Sequence, residues 1–121
     1  MSYDSSNIFA KILRGEIPCK KVYEDEFALA FNDINPRAPT HILVIPKGPY
    51  TTQDDFIAAA DDAEIIGFQR ALTKVINAAG VVADGYRLIA NAGVNAHQEV
   101  PHYHIHVLGG QDLGPMLAKR D

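Results

Sequence analysis

His102-Tyr103-His104-Ile105-His106-Val107-Leu108-Gly109-Gly110 is the stretch on which the reading of this chain turns. Its residues alternate with the period of a β-strand. That period places His102, His104 and His106 on one face, about 6.6 Å apart along the strand, and leaves Tyr103, Ile105 and Val107 for the core. Two chemistries use imidazoles in this pattern. Histidines two apart on a strand can reach one zinc or iron ion, with Glu99, His97 or His41 to complete the ligand set. Alternatively, one imidazole is a nucleophile toward phosphorus, while its neighbours orient it and stabilise the phosphate oxygens. Spacing alone leaves both open.

Working outward, Gly85 to Ala90 reads as a strand joined to the histidine strand by a polar loop. Before it, from about Asp54 to Ala79, Ile65, Ile66, Leu72, Val75 and Ile76 recur on one face at helical spacing. Asp61 and Asp62 suit its first turns and Gly80 its end, which predicts one long helix. Thr40 to Pro46 is a β-branched run bounded by prolines, and Lys21 to Glu24 and Phe27 to Asn32 flank a tight turn; together they suggest an antiparallel meander. At the front, Ile8 to Arg14 is a short amphipathic helix with Ser6 or Asn7 as N-cap and Gly15 as its stop. The order αβββαββ defines an α+β fold.

The chain has 121 residues without repeat, low-complexity stretch or linker, which predicts one domain over 1–121. A single cysteine, Cys19, excludes an intramolecular disulfide and any multi-cysteine zinc site. Eleven basic residues against fifteen acidic ones give a formal charge of −4, and no basic stripe is present. Polymeric nucleic acid is therefore not an expected partner, because phosphate neutralisation dominates such binding. No run approaches the roughly 20 apolar residues of a membrane span, and Met1 to Ser6 carry no basic n-region followed by a long apolar stretch. The expected setting is cytoplasmic, with no membrane partner.

Gln98-x-Val100-x-His102-x-His104-x-His106-Val107-Leu108 resembles the signature of the histidine triad family. The likeness continues through Ile8-Phe9-Ala10-Lys11-Ile12, Ala30-Phe31-Asn32-Asp33-Ile34, Ala38-Pro39-Thr40-His41-Ile42-Leu43-Val44-Ile45-Pro46 and Tyr86-Arg87-Leu88-Ile89-Ala90-Asn91. It covers nearly the whole chain in order, and is similar to the nucleotide-binding branch of that family. The tail Gly109 to Leu117 resembles the bacterial form. The resemblance implies a five-stranded antiparallel sheet, a short N-terminal helix, one long helix and a homodimer.

For function, the resemblance implies hydrolysis of the bond between the α-phosphorus of a purine nucleotide and a leaving group, as in nucleoside phosphoramidates, with no cofactor. His104 is then the nucleophile and forms a nucleotidyl-histidine intermediate. For that role it must be neutral, with Nε2 free and Nδ1–H held by an acceptor. His106 and Asn91 donate to phosphate oxygens, His102 supports the nucleophile's tautomer, and His41 is a fourth histidine beside the triad. Asp33 accepts the ribose hydroxyls, a task suited to a carboxylate's two oxygens. Ile8, Phe9, Ile12, Phe31, Ile34 and Leu43 clamp the purine, each also reading as core.

Gln98 and Glu99 belong to the loop Gly93 to Val100, whose backbone amides approach the phosphate. Glu99 puts a carboxylate beside an anionic centre, repulsive unless it is protonated, turned to solvent or paired with a cationic leaving group. His97 stands where the family usually has a small residue. Asn7 and Ala10 occupy the places of a Cys-x-x-Cys pair that helps hold a structural zinc in some bacterial members, so no metal is expected there. Two further readings stay open: a nucleotide-binding or regulatory protein with little activity, and a dinucleoside polyphosphate hydrolase.

Overall fold

The structure is a computed structural model that describes residues 3–117; the remaining six positions of the expected 1–121 domain lie outside the described residues. In chain order the elements are α1 (Ile8–Leu13), β1 (Lys21–Glu24), β2 (Ala28–Asn32), β3 (Thr40–Pro46), α2 (Gln53–Ala59), α3 (Asp62–Ala79), β4 (Tyr86–Ile89), a 3-10 turn (Val94–Ala96) and β5 (Ile105–Gly109). The five strands form one sheet in the order β1-β2-β3-β5-β4, and each neighbouring pair is antiparallel. This is the α+β architecture expected from the sequence.

Strand alternation sorts the side chains of the central strands onto two buried faces. Ala28, Ala30, Ile42, Val44, Ile105 and Val107 meet Phe56 of α2 and Phe68, Ala71, Leu72, Val75 and Ile76 of α3. The two alanines on β2 leave room for the rings opposite. On the other face, Leu29, Phe31, Leu43 and Ile45 pack with Phe9 of α1. Each large apolar side chain so buried contributes about 1.5–3 kcal/mol. Together they hold the strands in one register.

The single helix expected over Asp54 to Ala79 is two helices. Ala60 takes an extended conformation, and Asp61 caps α3 by accepting the Glu64 N–H at 2.8 Å. Asp61 is thus a cap rather than a first-turn residue, and its local hydrogen bond competes with helix continuation. Ile66, expected inward, is 53% exposed, and Phe68 and Ala71 take the core positions instead. At α1, Asn7 is the cap, accepting the Ala10 N–H, and Gly15 stops the helix with φ +78°.

The histidine strand also starts later than its alternation suggests. β5 begins at Ile105, so His102, Tyr103 and His104 precede the ladder; the Tyr103 N–H is held by the Tyr50 carbonyl at 2.7 Å. Among the described residues, no helix is long and apolar enough to cross a membrane.

Candidate active site

Register builds the floor of the site. Phe31 on β2 pairs with Leu43 on β3, Leu43 with His106 on β5, and His106 with Ile89 on β4. Directly opposed residues share a face, so these four form one row across four strands. The row floors a cleft of about 730 Å³, walled by α1 on one side and by residues 96–100 on the other. His104, His106, His41, Asp33 and Asn91 line the cleft, with Gln98 and Glu99 on the loop side. Ile8, Phe9, Ile12, Phe31, Ile34 and Leu43 line it as well.

The apolar residues differ in burial. Phe9, Phe31 and Leu43 are buried, whereas Ile34 is 87% exposed at the rim. Phe9 is the hinge between the two halves, its ring edge-on to Phe31 and, at 5.0 Å between centroids, to His104. The clamp and the imidazoles are one contiguous surface.

The hydrogen bonds assign the tautomers. His104 Nδ1 lies 2.6 Å from the His102 carbonyl, an acceptor only, so Nδ1 carries the proton and Nε2 keeps its lone pair. Nε2 has no protein partner among the described residues. His41 Nδ1 accepts the Arg37 N–H at 3.0 Å, so its Nε2–H donates to His106 Nδ1 at 2.9 Å. His106 therefore keeps its own proton on Nε2. The cleft holds a free lone pair on His104 and an N–H donor on His106, with ring centroids 5.1 Å apart.

Burial keeps these rings neutral. It pushes His106 down to about 4 and moves His104 and His41 below the ordinary imidazole value; the carboxylates of Asp33 and Glu99 pull His104 back only in part. A neutral imidazole with a free Nε2 is the nucleophilic form.

His102 does not line the cleft. Its ring is fully buried behind the site, donating from Nε2 to the Pro46 carbonyl at 2.9 Å and accepting the Tyr3 hydroxyl on Nδ1 at 2.5 Å. Burial brings it down to about 4. Its backbone carbonyl, not its ring, touches His104.

Asp33 accepts the Asn35 N–H on Oδ1 at 2.8 Å, forming a local turn, while Oδ2 stands 3.4 Å from His41 Nε2. One oxygen thus shapes the loop and the other faces the cleft. Gln98 is spent within its own loop: Oε1 accepts the Gly93 N–H, and Nε2 donates to the Thr51 and Val100 carbonyls. Its place suits bracing the loop rather than reaching a ligand. His97 has φ +57°, the one non-glycine residue with positive φ among those described, a conformation that favours glycine.

Asp33, His41 and His106 offer three potential metal ligands within 4.8 Å of one another. Their hydrogen bonds argue against that use. A metal needs the His41 Nε2 lone pair, but the Arg37 N–H at Nδ1 fixes the tautomer in which Nε2 carries hydrogen. The sequence reading missed Tyr3, whose hydroxyl ends the chain of bonds behind His102, and Arg37, whose N–H sets the His41 tautomer. Neither sits in a periodic pattern, so no sequence signal marks them.

Three alternating histidines leading into β5, two facing a nucleotide-sized cleft and one buried behind it, on a five-stranded antiparallel sheet, define a histidine triad domain. The HIT domain family model matches residues 14–113, and this chain belongs to that family. It is 62% identical over 118 residues to a 13.2 kDa HIT-like protein of Azospirillum brasilense, covering 98% of this chain and 97% of that one. It is 47% identical over 116 residues to the purine nucleoside phosphoramidase of Escherichia coli, covering 93% and 94%. The structure of a histidine triad protein from Clostridium difficile superposes with a TM-score of 0.81 at 41% identity, over 97% of this chain and all of that one.

Proposed function

We propose that this chain is a hydrolase of the purine nucleoside phosphoramidase type, acting through a nucleotidyl intermediate on His104. The observation that carries it is the tautomer of His104: neutral, with Nδ1–H on the His102 carbonyl and Nε2 open to the cleft. The 47% identity to a phosphoramidase supports the same reading.

In the first step the Nε2 lone pair attacks the α-phosphorus, the P–N bond breaks, and the leaving nitrogen takes a proton from solvent and departs as the amine. Positive charge then develops on the imidazole, and the Nδ1–H···O=C bond strengthens as it does so. His106 Nε2–H donates to a phosphate oxygen from a half-buried position, where such a donor is worth more than in water. Asn91, which also lines the cleft, is a second donor. Water then attacks phosphorus and gives a proton to solvent, the P–Nε2 bond breaks to restore neutral His104, and the nucleoside monophosphate departs. Asp33 Oδ2 takes the ribose hydroxyls, and the Phe9, Phe31 and Leu43 surface takes the purine.

The test is hydrolysis of an adenosine 5′-phosphoramidate bearing a fluorogenic amine, wild type against His104→Ala, with and without chelator. Expected are chelator-resistant turnover in the wild type, loss of roughly a thousandfold or more in the variant, and retained AMP binding. Near-normal turnover by His104→Ala would sink the mechanism; AMP binding without wild-type turnover would favour a binding protein.

The proposal extends to a homodimer. Leu88 is paired with Val107 and Tyr86 with Gly109, so both point to the helix-bearing face of the sheet. Both remain exposed there, at the β4 edge. A second copy packed on this uncovered apolar edge accounts for residues that water would otherwise meet.

A further inference from the structure

Behind the cleft runs a closed chain of hydrogen bonds that starts at the front of the polypeptide. Asn7 Nδ2 donates to the Tyr3 hydroxyl at 2.9 Å and to the Asp4 carbonyl at 2.7 Å, while its Oδ1 caps α1. The Tyr3 hydroxyl, with Asn7 as its donor, sends its own proton to His102 Nδ1 at 2.5 Å. His102 Nε2–H goes to the Pro46 carbonyl, and the His102 carbonyl holds His104 Nδ1–H. The His102 ring is wholly buried and edge-on to Tyr3, with centroids 5.6 Å apart. Every polar atom in the chain has a partner, and each bond fixes the direction of the next.

We propose that Tyr3 is a positioning residue for the His104 nucleophile: its hydroxyl pins the buried His102 ring, and so the His102 carbonyl that holds His104 in the Nε2-free tautomer. The inference rests on the function proposed above. Without the hydroxyl, His102 Nδ1 is a buried acceptor facing no donor, and the ring is relieved by tilting or by moving its proton from Nε2 to Nδ1. Moving the proton frees the Pro46 carbonyl, and tilting shifts the peptide that carries the His102 carbonyl. Either change loosens the 2.6 Å bond on which the His104 tautomer depends. Asn7 belongs to the same device because it supplies the hydrogen that turns the Tyr3 O–H toward His102.

The experiment compares wild type, Tyr3→Phe and Tyr3→Ala, all in the full chain, by phosphoramidate kinetics and by ¹⁵N NMR of the imidazole nitrogens without substrate. Tyr3→Phe keeps the ring and loses only the hydroxyl. It should lower kcat about ten- to a hundredfold, the usual cost of losing an outer-shell partner, with KM changed less than about twofold. The His102 Nδ1 and His104 Nδ1–H signals should shift or broaden. Asn7→Asp keeps the cap on α1 but offers the hydroxyl a carboxylate in place of His102, and should reproduce both effects. A loss confined to Tyr3→Ala, or wild-type kcat and imidazole signals in Tyr3→Phe, overturns the inference. Because the NMR signals need no turnover, a wild type inactive on phosphoramidates would sink the proposed function, while a displaced tautomer in Tyr3→Phe would still support the role of Tyr3.

Discussion

His102 and His106 are held at about 4, and His41 and His104 below the ordinary imidazole value, chiefly because burial disfavours their cations. A folded value below the unfolded one has a definite sign. As pH falls from about 6.5, the unfolded chain takes up protons that the folded chain refuses, so the stability these groups support is complete above 6.5 and is lost down to about 4. Denaturant unfolding at about pH 7.5 and about pH 5 should differ by on the order of 2 kcal/mol for each of the two most shifted rings. Ordinary carboxylates remain mostly ionised over that window, so they contribute little to the difference. Equal midpoints at the two pH values would contradict the neutral, buried assignment. At this scale alternation picks out His104 and His106 and the family resemblance adds His41, three imidazoles that the fold brings to the cleft. Neither reveals that His102 is buried behind them. That depth depends on Tyr3 and the Pro46 carbonyl, 99 and 56 residues away along the chain.

The elements show the same division. Runs with clear period, such as Thr40 to Pro46, have their bounds written in the sequence, and the structure gives β3 over the same residues. The break between α2 and α3 was hidden because Ala58, Ala59 and Ala60 are strong helix formers. Only the cap formed by Asp61 interrupts them. Inside α3, Gly67 is a poor helix residue retained for packing: a Cβ there would stand 2.3–2.6 Å from the Phe27 ring atoms Cδ2, Cγ and Cε2. Gly67→Ala gains about 1 kcal/mol of helix propensity and meets an overpacking cost of about 1–3 kcal/mol. We expect net destabilisation in urea, reversing to stabilisation in a Phe27→Ala background. A more stable single variant would show that Phe27 yields freely.

For the whole molecule, α1 and α3 cover opposite faces of the sheet, and on the α3 face Tyr86 and Leu88 of β4 stay exposed at the edge. Leu88→Asp places a charge on that apolar edge without touching the cleft, since Leu88 lies on the helix-bearing face. Light scattering after size exclusion should give a dimer mass for the wild type and a monomer for the variant, with unchanged far-UV circular dichroism. A dimeric variant would move the interface elsewhere.

The row Phe31, Leu43, His106 and Ile89 carries a consequence for how this site comes into being. Leu43 and His106 are 63 positions apart, yet they sit side by side on adjacent strands. Closing a loop of that length is entropically unfavourable until many contacts form together, so such pairings arise late on the folding pathway. No fragment or half-formed hairpin of this chain holds the cleft. The cleft returns only with the last ladder, and any ligand that fits only the finished fold would act as its lock.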